Sequence, residues 1–206
     1  IVLDYRDPWN LLKKHSSKLT LRKEKKYLNL ADKIVMFSDM FKNDMIKKFS
    51  IPEENCITVY NGFDSDLWDE IEDDEANNQS VASQNRFVIS YVSSNVSFKD
   101  GTPRDPLNLI KAVSLLDNPE NISLNIVGCI DKPSTDDFTD YKFDLNLSPF
   151  VPHKEALKVM QMSNILVILS TENTTNKYTL TGKLFDCIRS GGFVLGIANS
   201  SNVDYR

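Results

Sequence analysis

The sequence has no apolar run approaching the roughly 20 residues that a bilayer-spanning helix needs, so no transmembrane segment is predicted. Its first residues also lack the charged segment and short apolar stretch of a secretory signal. The 24 lysines and arginines against 29 aspartates and glutamates leave no basic excess of the kind typical of nucleic-acid-binding proteins. What is present is a hydrophobic fraction of 41% in 206 residues, which is enough for the core of one large or two small domains.

Cysteine and histidine are both scarce. The three cysteines, Cys56, Cys129 and Cys187, are far apart, and the two histidines, His15 and His153, form no metal-ligand spacing with them. We therefore predict no metal site and no bound cofactor. Buried free thiols are the expected state of the cysteines, with a redox role as the alternative. Free thiols are typical of the reducing cytoplasm, where we place the protein.

The two ends of the sequence indicate a fragment. The sequence opens at Ile1, inside an apolar strand pattern, and it ends shortly after another strand pattern with no closing helix. We expect a segment of a longer protein, truncated at both ends.

Charge is distributed unevenly along the chain. Residues 1–50 hold twelve basic and six acidic residues, whereas residues 64–75 hold eight acids and no base. An acidic run that continues into small polar residues is typical of a solvated linker with limited ability to pack. We predict a first domain over 1–62, a hinge linker over 63–85 and a second domain over 86–206.

Candidate strands alternate with candidate helices on both sides of this linker. The strand patterns lie at 1–3, 34–37, 56–60, 86–92, 122–127, 145–150, 165–169 and 193–197. The helical patterns lie at 17–31, 39–49, 104–117, 153–163 and 181–190. Continuous Val, Ile, Leu and Phe in strands separated by helices predict α/β folding, with Rossmann-like parallel sheets buried on both faces. Ligands of such sheets bind outside the carboxyl ends of the strands.

The strongest candidate site is the segment from Thr179 to Asp186, which opens the last predicted helix. Gly182 allows close approach of the backbone, exposed N–H groups at a helix start favour phosphate, and Lys183 adds a cation. Asp186 could accept hydrogen bonds from a ribose diol. The segment is not a Walker A loop, because the first glycine and the Ser/Thr of that motif are missing. The alternative is an ordinary helix start with a surface Lys183/Asp186 pair.

A second candidate is the loop that follows the strand at 86–92. It contains Ser93 and Ser94, and it brings two cations, Lys99 and Arg104, near a predicted helix start. Fixed cations stabilise a leaving diphosphate because they act where negative charge develops. The alternative is an exposed loop with scattered charges.

The order of motifs resembles the retaining glycosyltransferases of family four, which have the two-domain GT-B fold. The similarity spans nearly the whole chain, although each motif is weak by itself. It implies that 1–62 is the C-terminal part of the acceptor domain and that 86–206 is the donor nucleotide-sugar-binding domain, truncated at its C-terminal end. The passages that carry it are Asp4 to Trp9 (D-x-R-D-P-W), Glu24 with Ala31 to Ser38, Ile57 to Asp64, Ile89 to Val92, Arg104 to Pro106, Ile126 to Gly128, His153 to Ala156 and Thr181 to Asp186.

The resemblance implies roles for individual residues. Asp186 would bind the donor ribose, while Thr181, Gly182 and Lys183 would form the phosphate-side helix start. Arg104, or alternatively Lys99, would face the donor diphosphate, with Ser93 and Ser94 beside it. Val151 belongs to the loop that would border the nucleotide base. Arg104 and Lys183 are the predicted catalytic residues, because they would stabilise the leaving group. The family's second acidic position falls on Tyr178 or Thr179, neither of them acidic, which leaves the donor sugar open.

The resulting functional expectation is a glycosyltransferase that moves a sugar from a UDP-, GDP- or ADP-sugar to an acceptor hydroxyl with retention. Surface polysaccharide or lipopolysaccharide synthesis is the expected role, with a glycan or lipid-linked acceptor, and this segment alone is not expected to be active. The alternatives are a GT-B-type nucleotide-sugar epimerase and a non-catalytic α/β binding module. The basic segment 13–26 is a candidate for peripheral contact with the inner face of the membrane, or else a solvated helix face.

Overall fold

The computed structural model describes residues 1–7, 9–11, 17–77, 86–98, 105–131, 141–169 and 181–197. Within these ranges the chain forms two compact units, which are treated separately below. The first comprises Ile1–Gly62 and the described residues 181–182, and the second comprises the described residues from 63 to 169 and from 183 to 197.

Strands and helices alternate in the first unit. They are β1 (Val2–Tyr5), α1 (Lys18–Leu30), β2 (Lys33–Met36), α2 (Asp39–Phe49) and β3 (Cys56–Thr58). The strands pair in parallel in the order β1-β2-β3. Helix α2 begins where the Ser38 hydroxyl accepts a hydrogen bond from the Phe41 backbone N–H, and it ends at Ser50, which has a φ of 55°. Phe41, Met45 and Phe49 recur at helical spacing and form one buried face in the core of this unit.

The second unit is built around a larger parallel sheet. Its elements are α3 (Ser65–Asn77), β4 (Phe87–Val96), α4 (Leu107–Ser114), β5 (Ile122–Cys129), β6 (Asp144–Ser148), α5 (His153–Gln161), β7 (Ile165–Leu169), α6 (Gly182–Arg189) and β8 (Phe193–Ile197). The strand order is β6-β5-β4-β7-β8, with every described pairing parallel. The predicted α/β class with parallel sheets is thus confirmed.

The acidic segment differs from the solvated linker that the sequence predicts over 63–85. Its described part forms α3, in which Trp68 and Ile71 lie one turn apart and are both buried. Two of its acids meet bases of α5 and α6: Glu70 accepts from Lys154 at 3.3 Å, and Glu72 lies 2.7 Å from Arg189. Two apolar side chains and paired charges therefore hold α3 on the second unit.

Strand β8 also differs from expectation. The sequence predicts a strand buried on both faces, yet all five of its residues are exposed. Among the described strands it pairs with β7 alone, which makes it the edge of the sheet. An edge strand has one neighbour fewer, and its apolar side chains lose the cover that the inner strands have.

The described part of the basic segment lies on α1. Leu28 packs into the core of the first unit, whereas Leu19 and Leu30 are exposed. Lys13, Lys14 and His15 fall outside the described residues. None of the helices in the described ranges combines the length and the apolar character that crossing a bilayer requires. Membrane contact by this segment stays a prediction.

All three cysteines are unpaired thiols, and two of them, Cys56 and Cys187, are buried, as expected from the sequence. Cys129 is half-buried. Burial is the main cause that raises the pKa of each thiol above its ordinary value, and it raises the pKa of Cys187 to about 11.

Alkylation of Cys187 at pH 8 is therefore expected to be about 100-fold slower in the folded protein than in urea, measured by mass spectrometry. The neutral thiol is the form that folding favours. The stability that the folded chain gains from a neutral Cys187 thiol is fully present below the unfolded thiol pKa. It is lost as the pH rises through about 11. Equal alkylation rates in the folded and unfolded chain would contradict the described burial.

Candidate functional site

The second unit has a pocket of about 260 Å³ at the carboxyl ends of its central strands. In chain order the sheet runs outward from β4 through β5 to β6, then returns to the other side of β4 through β7 to β8. The switch point of this winding lies between β4 and β7. Open parallel sheets bind their ligands in the crevice at such a point, and the pocket contains residues of β4 and of the helix that follows β7.

Strand β4 contributes Ser93 and Ser94 to the pocket. Its pairing with β5 is regular as far as Val92 and shifts register before Val96, so both serines lie in an irregular stretch of the strand. The backbone of β4 at Ser93 comes so close to Gly128 of β5 that no side chain would fit there. Gly128 has a φ of +98°, and a Cβ placed there would lie 1.6 Å from the carbonyl oxygen of Ser93.

Asp186 of α6 is held in place by residues from two other helices. Its Oδ1 accepts a hydrogen bond of 3.4 Å from the indole Nε1 of Trp68, and its Oδ2 lies 3.5 Å from His153 Nε2. The side chain is only 14% exposed. Each carboxylate oxygen can accept a further hydrogen bond, so Asp186 is a fixed acceptor for hydroxyl groups of a ligand.

Lys183, one turn before Asp186, also lines the pocket. Its Nζ lies 5.3 Å from the ring centroid of the buried Tyr91, which places a cation over an aromatic face. The sequence-based alternative of an exposed Lys183/Asp186 surface pair is therefore not what the structure shows, since both side chains are partly buried pocket residues.

The start of α6 precedes these two residues. Gly182 is its first residue, and no described heavy atom lies within 4 Å of the position of an added Cβ. The Thr181 hydroxyl oxygen is buried and has no hydrogen-bond partner among the described residues. Neither residue lines the pocket itself. The free backbone N–H groups of a helix start favour a negatively charged ligand.

The pocket wall contains some residues that the sequence singles out and some that it does not. Val151, predicted from the resemblance, lines it together with Phe150. His153, which forms no metal-ligand spacing in the sequence, lines the pocket beside Asp186, and its exposed ring provides no side-chain cap for α5. Trp68 was missed because it lies in the segment expected to be solvated. Its one-turn spacing from Ile71 is the signal that could have revealed it.

The arrangement combines one cation, two hydroxyls, a fixed carboxylate and an imidazole with apolar walls, which suits a ligand that is partly anionic and partly planar. Lys99 and Arg104, the other predicted phosphate-side cations, lie outside the described residues. Over the described part of the chain, no group of three or more His, Cys, Asp or Glu residues could hold a metal ion.

No protein-family model and no curated protein sequence matches the chain. Solved structures do match it. HepE from Anabaena, in complex with UDP-glucose, is 17% identical with a TM-score of 0.53, over 94% of this chain and 52% of HepE. WaaG, a glycosyltransferase involved in lipopolysaccharide biosynthesis, is 16% identical with a TM-score of 0.57, over 99% and 58% of the two chains. UDP-GlcNAc 2-epimerase from Neisseria meningitidis, bound to UDP-GlcNAc, is 13% identical with a TM-score of 0.54, over 97% and 52%.

This chain thus spans between 52% and 58% of the length of these three structures. At such low identities the similarity shows the fold. The fold is α/β with helix-flanked parallel sheets of the GT-B type, so the predicted fold class is confirmed to this extent.

Proposed function

We propose that this chain is part of a glycosyltransferase that moves a sugar from a nucleoside-diphosphate sugar to an acceptor hydroxyl. The observation that carries the proposal is the pocket at the switch point, where Lys183 and Asp186 of one helix lie with Ser93 and Ser94 of β4. The complexes of HepE with UDP-glucose and of the epimerase with UDP-GlcNAc support a nucleotide-sugar donor. Retention of configuration follows from the family resemblance and is part of the proposal.

In this proposal the carboxylate of Asp186 accepts hydrogen bonds from the donor ribose, and the base lies against Phe150 and Val151. Lys183 stabilises the charge that develops on the diphosphate as the bond between it and the sugar C1 breaks. The acceptor oxygen forms the new bond to C1, and its proton leaves with the diphosphate. Arg104 or Lys99 would add a second cation, and the reaction would need no metal.

The proposed setting is the cytoplasm, in surface polysaccharide or lipopolysaccharide synthesis. Three unpaired thiols suit a reducing compartment. The similarity to WaaG, whose role is in lipopolysaccharide biosynthesis, supports this class of pathway. The domain limits 1–62, 63–85 and 86–206 remain part of the proposal, except that α3 packs on the second unit.

Nucleotide binding tests the proposal directly. UDP, GDP and ADP are each added to the protein, and the melting temperature and the indole N–H resonance of Trp68 are followed. Because that indole donates to Asp186, its resonance reports on the pocket. We expect one diphosphate to shift it, and at 100 times its Kd to stabilise the fold by about 2.7 kcal/mol. The matching nucleoside without phosphates is the control. The proposal is wrong if none of the three diphosphates changes either readout.

The similarity to UDP-GlcNAc 2-epimerase favours one second candidate function. An epimerase would release free sugar and nucleotide and would need no acceptor. Product analysis on the longer protein separates the two functions. A sugar joined to an acceptor supports transfer, whereas a free sugar with one inverted stereocentre, formed equally fast with and without acceptor, supports epimerisation.

Replacement of Gly182 by alanine distinguishes a phosphate site from an ordinary helix start. No described atom meets the new methyl group, so the free energy of unfolding should change by no more than about 1 kcal/mol. If the backbone at Gly182 approaches phosphate, the methyl group should lower affinity for the diphosphate about tenfold or more, measured by calorimetry. Unchanged affinity in Gly182→Ala would favour the ordinary helix start.

A further inference from the structure

His153 lines the pocket of the second unit, and the proposed function assigns it no role in binding. It is the first residue of α5, and Ala156 and Met160, farther along the helix, line the same pocket. Residues at this spacing share one face of a helix, so this face of α5 is turned toward the pocket. The His153 side chain is 59% exposed, so a ligand in the pocket can reach its imidazole.

The imidazole of His153 faces the carboxylate of Asp186. Its Nε2 lies 3.5 Å from Asp186 Oδ2, and this is the one polar contact that the ring makes with the described residues. The distance is longer than the roughly 2.7–3.2 Å of an N–H···O hydrogen bond, so the two groups face each other without closing one. An ionised carboxylate only accepts hydrogen bonds, so Nε2 is the ring nitrogen that directs a hydrogen toward it.

These two groups together suit a single hydroxyl of a ligand. Because His153 Nε2 and Asp186 Oδ2 are 3.5 Å apart, one hydroxyl oxygen can lie within hydrogen-bond distance of both. That hydroxyl donates its hydrogen to Oδ2 and accepts the hydrogen of Nε2. An ionised phosphate oxygen has no hydrogen to donate and is repelled by the carboxylate. The place between His153 and Asp186 therefore selects an uncharged O–H group.

The neighbours of this pair indicate which hydroxyl it meets. His153 directly follows the segment whose Phe150 and Val151 form an apolar wall of the pocket. Asp186 lies one turn after the cation Lys183 on α6. A nucleotide with its base on the apolar wall and its phosphates near the cation has its pentose between these two ends. The hydroxyls of that pentose are then the O–H groups nearest to His153 and Asp186.

Building on the proposed function, we propose that His153 is a specificity-determining residue, through which the pocket selects ribonucleotides over deoxyribonucleotides. Its Nε2–H donates to one hydroxyl of the ribose, while that hydroxyl donates to Asp186. Without this hydroxyl, both protein groups lose their ligand partner. A site built to hydrogen-bond a hydroxyl discriminates against the analogue that lacks it. The loss of affinity is thus specific to deoxy analogues.

Calorimetry with ribonucleotides and deoxyribonucleotides tests this selection. The probes are UDP, GDP and ADP, each compared with its 2′-deoxy and its 3′-deoxy counterpart. We expect the diphosphate that binds to lose affinity at least about tenfold when one of the two hydroxyls is removed, because two hydrogen bonds are lost with it. The ribose ratio, which is the affinity of the ribonucleotide divided by that of this analogue, is the readout. A residue that only supports the fold would change both affinities together and leave the ribose ratio unchanged.

Two substitutions of His153 separate its hydrogen bond from its bulk. His153→Leu removes the N–H group and should lower the ribose ratio about fivefold, because one neutral hydrogen bond is lost. His153→Gln keeps an amide N–H near the position of Nε2 and should retain most of the ribose ratio. Glu155→Gln alters an exposed side chain in the same first turn of α5, outside the pocket, and is the matched control. It should leave both the affinity and the ribose ratio unchanged.

A double variant shows whether His153 contacts the ribose or acts only by orienting Asp186. Asp186→Ala removes the carboxylate, and His153→Leu is then added to it. A direct contact predicts that the ribose ratio falls further, by about two- to fivefold, measured by NMR titration because binding is weaker. If the ribose ratio is the same with and without His153→Leu in this background, His153 acts only through Asp186 and the inference is wrong.

The inference is also overturned if both deoxy analogues bind as tightly as the ribonucleotide. A His153→Leu protein that keeps its ribose ratio but changes its preference among UDP, GDP and ADP would overturn it too, because His153 would then contact the base. These failures differ from failure of the proposed function. A diphosphate that binds with the same ribose ratio in His153→Leu overturns the inference alone and leaves the donor site standing. Absence of binding by all three diphosphates overturns both.

Discussion

Replacing Asp186 with alanine is expected to weaken binding of the nucleoside diphosphate by about 10- to 100-fold, measured by calorimetry. Hydrogen bonds to a charged group contribute about 1.5–3 kcal/mol, and the proposal assigns to this carboxylate the hydroxyls of the donor ribose. Because Trp68 and His153 fix both oxygens, the free protein already holds the acceptor in position. Binding then costs little side-chain ordering.

Two further variants make the Asp186 prediction specific. Asp186→Asn keeps an oxygen for the Trp68 indole, so it should fold normally and lose affinity through the missing charge. Asp117→Asn alters an exposed carboxylate outside the pocket and should bind as the unaltered protein does. Normal nucleotide affinity in both Asp186 variants would remove this residue from the donor site.

Gly128→Ala is expected to have the largest effect on stability, a loss on the order of 3 kcal/mol or more in the free energy of unfolding. Its φ of +98° is strained for any residue with a side chain. The new Cβ would also lie 1.6 Å from the Ser93 carbonyl oxygen, so the two central strands β4 and β5 must separate locally. Thermal unfolding should show a melting temperature about 6–12 °C lower.

The same change should also impair the donor pocket, because Ser93 and Ser94 line it next to the displaced carbonyl. Gly62→Ala is the matched control, since no described atom lies within 4 Å of its added Cβ, and its stability should stay within about 0.5 kcal/mol of the original. A Gly128→Ala protein as stable as the Gly62→Ala control would mean that β4 and β5 do not approach as described.

Local patterns predicted most of the regular structure. The strands at Ile165–Leu169 and Phe193–Ile197 and the helix at Asp39–Phe49 have the predicted bounds, because short apolar runs and helical spacing are properties of neighbouring residues. The strand predicted over 86–92 extends to Val96. Its irregular end is stabilised across the sheet, by pairing of Val96 with Cys129, which no local pattern contains.

The acidic segment shows where composition misleads. Eight acids without a base are typical of solvated chain, and the average over the segment conceals Trp68 and Ile71. Whether Trp68 and Ile71 become buried depends on which other elements pack against this helix. Here α5 and α6 offer Lys154 and Arg189 as partners for the acids, and these lie more than 80 residues later in the sequence.

By itself, the sequence determined the alternation of parallel strands and helices and the composition of the candidate site on α6, because both depend on the order of residue types along the chain. The tertiary structure alone decided that Asp186 is held between Trp68 and His153, and that the serines of β4 face it across a switch point. Trp68 and Asp186 are 118 residues apart, and a contact over that distance arises only when the sheet and its helices pack.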